Sequence, residues 1–282
     1  MQALVRDELS QPVLPQVSAM AAAIAALHPG ALAVLFYGSC LREAKLDGLM
    51  LDFYLIVEDY RKAYPTRWLA LANRLIPPNV FPFAQGQLSA KYAVLSMGDF
   101  ARLCGPETRN VSVWARFAQP SRLAWSADEA TTEGTVAAVA RAAPTLLAAS
   151  QAIVGEAPLD WWRRAFTLTY SVELRAERGG RAASVVDADG DRYVRFSGPT
   201  IAAIPADAGG GGWARRRLEG KALTVVRLAK AAFTFVGGID YLAWKINRHA
   251  GTQIVITPWQ RRHPLIASVL LVPRLLRQGA VK

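Results

Sequence analysis

A chain of 282 residues is long enough for one large domain or two modest ones, and 52% hydrophobic against 20% charged residues excludes a disordered chain. The balance of 33 Lys and Arg against 22 Asp and Glu leaves a net charge of +11, which suits a polyanionic partner: nucleotide, nucleic acid or anionic lipid. Two cysteines, Cys40 and Cys104, make neither a metal-ligand pair nor a disulfide framework and point to a reducing compartment.

The N-terminus carries Arg6, Asp7 and Glu8 and does not read as a secretory signal. No apolar run approaches the roughly 18–20 residues that a spanning helix needs. Residues 14–28 read as an Ala-rich helix stopped by Pro29-Gly30. ALAVLFYG, ending at Gly38, has strand length, and LMLDFYLIV (49–57) is a second apolar strand. Residues 66–76 read as a helix ended by Pro77-Pro78, and AKYAVLSM (90–97) as a third strand. Apolar strands of this kind suggest an α/β sheet covered on both faces. From 131 to 178 the pattern is helical, over 134–153 and 158–178. Residues 183–196 read as a hairpin turning at Asp189-Gly190, residues 207–212 as a flexible loop, and 213–234 as a basic helix. The tail has no acid after Asp240 but carries Lys245, Arg248, Arg261, Arg262, Arg274, Arg277 and Lys282 around apolar clusters. Pro264 and Pro273 keep it from being one straight helix. It reads as a segment lying in a lipid interface, or else as a core-packed helix with a solvated basic face.

Three places could carry chemistry. Gly38-Ser39 ends a strand, where glycine allows a tight turn and serine can bond a phosphate oxygen. Asp52 is a lone carboxylate inside an apolar strand; burial would be costly without a partner, either a structural Lys or Arg or a metal ion. Around 170–181, Glu173, Glu177, Arg175 and Arg181 offer either helix-surface ion pairs or a metal ligand with phosphate-binding arginines.

A Gly-Ser turn thirteen residues before a strand Asp resembles the layout of polymerase-β-like nucleotidyltransferases. The longer series resembles the mitochondrial-type phosphatidate cytidylyltransferases, the peripheral-membrane CDP-diacylglycerol synthases. Gly38-Ser39, Met50-Leu51-Asp52-Phe53, Lys91 to Ser96 and Gly98-Asp99-Phe100 follow that family's order. So do Thr169 to Ala176 and Glu177 to Ala182, over roughly residues 34–200 in all. The chain departs from the family at Val172-Glu173, where the family carries Gly-Asp, and at Arg181, where it carries Lys; the strand acid usual two residues after Asp52 is Tyr54.

The resemblance implies an α/β nucleotidyltransferase domain over 1–130 and a mostly helical, winged-helix-like domain over 131–235. A basic membrane-docking region over 236–282 would follow. It implies transfer of a cytidylyl group from CTP to phosphatidate, with Mg²⁺ on Asp52 and Glu173 as catalytic and metal-binding residues. Gly38, Ser39 and Lys91 would bind the nucleotide, and Arg175, Arg181 and Tyr92 the phosphate or substrate. The protein would be cytoplasmic, touching the inner face of an anionic membrane through its tail, with no nucleic-acid partner. The alternatives are a nucleotidyltransferase with another phosphorylated or phosphonylated acceptor, or a catalytically inert lipid-binding protein.

Overall fold

The computed structural model describes residues 1–42, 46, 48–172, 185–206, 208–234 and 255–259. Two helices lead in, α1 (Gln2–Leu9) and α2 (Pro15–Ala26), the second opened by a proline at its first position and followed by Gly30 at φ +76°. Five strands then form one sheet: β1 (Ala31–Tyr37), β2 (Met50–Val57), β3 (Asn79–Gln85), β4 (Leu88–Ser96) and β5 (Ser121–Ser126). Their order is β3-β4-β2-β1-β5, with β2 and β4 parallel and every other pair antiparallel. The architecture is mixed α/β, as the sequence suggests.

Between strands lie α3 (Tyr60–Ala63), α4 (Arg67–Leu75), α5 (Met97–Cys104) and α6 (Trp114–Phe117). After the sheet come α7 (Glu129–Val139), α8 (Ala142–Ser150), α9 (Pro158–Tyr170), α10 (Gly190–Ala202) and α11 (Trp213–Thr234). Helices cover both faces of the sheet, so its central strands are apolar on both sides. On one face Val34, Phe36, Phe53, Leu55, Tyr92 and Val94 pack with α2, α3 and α4. On the other, Leu35, Tyr37, Tyr54, Ile56, Ala93 and Leu95 share a core with helices α5 to α10.

Polar anchors fix these layers. Asn73 of α4 and Asn79 of β3 are fully buried; Asn73 Nδ2 donates to the Val94 carbonyl at 3.0 Å, and its Oδ1 accepts from the Asn79 backbone N–H. The buried Glu8–Arg192 ion pair joins α1 to α10, while Arg192 Nη1 donates to the Ala118 carbonyl at 3.1 Å. Removing one member would leave the other charge buried without compensation.

Three readings change. The span 134–153 is two helices, α7 and α8, separated at Ala140-Arg141. β3 and β5 are strands that the chain pattern did not announce. The hairpin expected over 183–196 is helical in its described part: Asp189 is the N-cap of α10, its carboxylate accepting from Arg192 N. Asp-Gly serves a hairpin turn and a helix start equally well, and burial of Tyr193, Phe196, Ser197 and Thr200 at helical spacing decides for the helix. No wing-like hairpin is therefore found among the described residues of 131–235. Among the described residues no helix is long and apolar enough to cross a membrane.

Candidate functional site

On β2, Asp52 and Tyr54 point to the same face, since side chains alternate along a strand. The register sets Asp52 beside Lys91 of β4 and Tyr37 of β1, with Tyr54 beside Ala93. Lys91 Nζ lies 3.0 Å from Asp52 Oδ1, with the two side chains 30% and 23% exposed. Oδ1 itself accepts no directed hydrogen bond: the pair is close in distance but off the hydrogen-bonding axis. Lys91 is thus the charged partner that the strand register places beside Asp52.

Gly38 closes the site from behind. Its φ of +97° lies in the left-handed region, and a Cβ there would stand 3.1 Å from Asp52 Oδ2. Glycine is required at this position for both reasons. Ser39 opens a single 3-10 turn, Ser39–Arg42, and is exposed, outside the lining of the cavity.

Above Asp52 is a cavity of about 220 Å³ lined by Tyr37, Tyr54, Val80, Ala93 and Ser112, together with charged groups. These are Lys91, Arg116, Arg227 and Lys230 against the one carboxylate of Asp52. Arg116, carried by α6, has Nη1 3.3 Å from the Tyr54 hydroxyl and its Cζ 4.9 Å from the centre of the Tyr37 ring. Tyr54 itself packs edge-on to Phe117 at 5.2 Å. The strand position two residues after Asp52 is thus held by a tyrosine tied to a guanidinium.

Arg227 and Lys230 enter from α11. Arg227 Nε donates to the Pro77 carbonyl at 3.1 Å and Nη1 to Ser112 Oγ at 3.1 Å. Lys230 Nζ donates to the carbonyls of Ile76 and, at 2.7 Å, Pro78. These carbonyls lie between α4 and β3, where neither helix nor ladder satisfies them, so the cations complete the hydrogen bonding of the connection. Burial, with Arg227 nearby, pulls the Lys230 ammonium down from the ordinary lysine range to about 7.

Of the expected site residues, Gly38, Asp52 and Lys91 come together. Tyr92 does not join them: it faces the opposite side of the sheet, where its hydroxyl donates to His28 Nε2 at 2.9 Å. His28 Nδ1 donates to the Ala63 carbonyl at 2.9 Å, which fixes the tautomer, and burial lowers its pKa and keeps the ring neutral. Tyr92 is thus a core residue; the one-residue alternation that puts Lys91 in the cavity puts Tyr92 outside it. Glu173, Arg175 and Arg181 lie outside the described residues. Glu58 and Asp59 are used locally, Glu58 by Lys62 and Asp59 as the cap of α3.

The described lining supplies one carboxylate, and among the described residues no three His, Cys, Asp or Glu side chains gather as a metal site. By themselves these residues do not fit a divalent ion. Four basic side chains and one carboxylate stand in the described lining of the cavity. No protein-family model matches the chain, and no curated protein matches it in sequence. Arg116, Arg227, Lys230 and Ser112 carry no local motif in the sequence; the one readable signal is the pair Arg227 and Lys230, one turn apart on the basic helix.

Proposed function

We propose that this chain is a nucleotidyltransferase that joins the cytidylyl group of CTP to the phosphate of phosphatidate, giving CDP-diacylglycerol and pyrophosphate. The observation that carries the reading is the cationic cavity set around Asp52, directly against the Gly38 turn. The order of motifs from Gly38 to Arg181 supports the choice of nucleotide and acceptor.

In this reaction a lipid phosphate oxygen forms a bond to the α-phosphorus of CTP as the bond to the β-phosphate oxygen breaks. The lipid phosphate is already anionic near neutral pH, so the attack needs no strong general base. The barrier to be overcome is repulsion between two phosphates. Lys91 and Arg116 would offset it by charge-assisted hydrogen bonds, and the rigid sheet would hold both groups in line. Asp52 would keep Lys91 oriented at the strand register. No step is assigned to a divalent ion, because Glu173, the second ligand implied for it, is outside the described residues. The basic tail would bring the chain to its lipid; of that region only 255–259 is described, with Ile256 buried and Trp259 half exposed.

One observation favours a second reading. Tyr54 held by Arg116, with Asp52 held by Lys91, also suits an inert protein that binds a phosphorylated lipid without turning it over. Pyrophosphate release from CTP in Mg²⁺, with and without phosphatidate vesicles, separates the two. Lipid-dependent release that Asp52→Asn lowers by at least about 100-fold supports the transferase. Vesicle binding without release supports the inert reading, and undiminished release by Asp52→Asn removes Asp52 from the reaction.

A further inference from the structure

We propose that α4 is an interfacial anchor whose exposed face seats in the headgroup layer of an anionic lipid bilayer. The inference goes beyond the reading above: it needs neither CTP nor the cavity at Asp52, and it holds equally for a chain that binds lipid without turnover. Three observations carry it.

The first is that α4 is turned inside out. An ordinary surface helix buries its large apolar side chains and shows its polar ones to water. Instead α4 buries Ala70 and Asn73 and leaves Trp68, Leu71 and Leu75 exposed by 48%, 57% and 69%. Steps of three and then four residues place all three on one face of the helix. A single exposed leucine is ordinary, but a tryptophan and two leucines in one stripe make a contiguous apolar surface.

The second is that this orientation is fixed by hydrogen bonds. Asn73 Nδ2 donates to the Val94 carbonyl at 3.0 Å, and its Oδ1 accepts from the Asn79 backbone N–H. Asn79 Nδ2 in turn donates to the Leu69 carbonyl at 3.0 Å. Turning α4 over to bury the stripe would break these bonds and strand the buried amides. The stripe therefore faces outward for as long as the fold holds.

The third is charge. From Tyr60 to Gly98 the chain carries no Asp or Glu. Arg67 and Arg74, both exposed and seven residues apart, run along one border of the stripe. The acids just before this stretch are used locally, Glu58 by Lys62 and Asp59 as the cap of α3. Tryptophan and leucine beside arginine suit a face lying in a membrane interface. The indole and the leucines enter the acyl boundary while the guanidinium groups meet lipid phosphates. A second copy of the chain fits less well, because a twofold contact across the stripe would bring like charges from both copies together.

The test puts one label on the stripe of the full chain. Cys40 and Cys104 are buried, so Leu71→Cys can be labelled selectively with an environment-sensitive dye. On vesicles of phosphatidylcholine mixed with phosphatidylglycerol the emission should strengthen and shift to the blue. Partitioning onto phosphatidylcholine alone should be at least about tenfold weaker. Flotation of the unlabelled chain on the anionic vesicles should weaken at least about tenfold in Trp68→Ser/Leu75→Ser and in Arg67→Gln/Arg74→Gln, with thermal midpoints unchanged. If a double variant does not fold, the label on the otherwise wild-type chain still decides. Emission that is blue before vesicles are added, or that anionic vesicles leave unchanged, overturns the anchor. So do folded variants that partition as the wild type does, or a dimer that Leu71→Asp dissolves. Lipid-dependent CTP turnover with the label unmoved overturns the anchor and leaves the transferase standing; a label that responds without turnover does the reverse.

Discussion

At Asp52 two neighbours decide what the carboxylate can do. Lys91 sets its charge balance from the next strand, and Gly38 sets how closely the main chain can approach it. Replacing Gly38 by alanine meets two obstacles together: a left-handed backbone that costs about 1–3 kcal/mol for a residue with a Cβ, and a methyl 3.1 Å from Asp52 Oδ2. Gly38→Ala should lower the midpoint of chemical denaturation accordingly and weaken anion binding by displacing the carboxylate from Lys91. A variant with wild-type stability and binding would show that the turn does not support the site. This residue and Asp52 were legible in the sequence because a strand-ending glycine and a lone acid in an apolar run are local features. The pairing of Asp52 with Lys91 was not, because it depends on the register of β2 with β4. Tyr92 fails as a site residue for the same reason: strand alternation could be read, but not which face carries the cavity.

Elements were legible where a single period ran unbroken. The α2 helix, the β1, β2 and β4 strands and the basic α11 helix lie close to their expected bounds. β3 was hidden by Pro82 within it, which the edge position tolerates because an edge strand needs no N–H on its open side. The α10 helix was hidden by the double meaning of Asp189-Gly190. The contribution of α11 to the cavity also escaped, because a basic helix by itself is most simply a solvated face.

Lys230 gives α11 a measurable signature. Its folded pKa is lowered from the ordinary lysine value of 10.5 to about 7, by burial first and Arg227 second. Between these two values the unfolded chain holds a proton that the folded chain does not. The unfolded state therefore binds more protons, and this group makes stability rise with pH across that window. The charged groups sharing its cavity are Asp52, Lys91, Arg116 and Arg227. Lys230→Met should reduce the gain in denaturation midpoint between pH 7 and pH 9 relative to the wild type. Identical pH profiles for the two would place Lys230 in water rather than against the sheet.

For the whole molecule, the sheet separates two tasks. The face under α2, α3 and α4 is a closed aromatic and aliphatic core that includes Tyr92 and His28. The opposite face is apolar at Leu35, Ile56 and Leu95 and turns polar at Tyr37, Asp52 and Lys91, where the cavity opens. Folding brings α6 and α11 over that polar end, so the cavity lined by these basic side chains exists only in the assembled chain. Net charge predicted an anionic partner from composition alone; its concentration around one strand acid is a property of the tertiary structure. The motif order that suggested phosphatidate and CTP spans this same sheet, while Glu173, Arg175 and Arg181 fall on residues outside the described set.

The most direct measurement of the central claim is the location of bound CTP in crystals of the full chain. The predicted result is a triphosphate within hydrogen-bonding distance of Lys91, Arg116, Arg227 and Lys230, next to Asp52. A nucleotide bound elsewhere on the molecule, with this cavity unchanged, would contradict it.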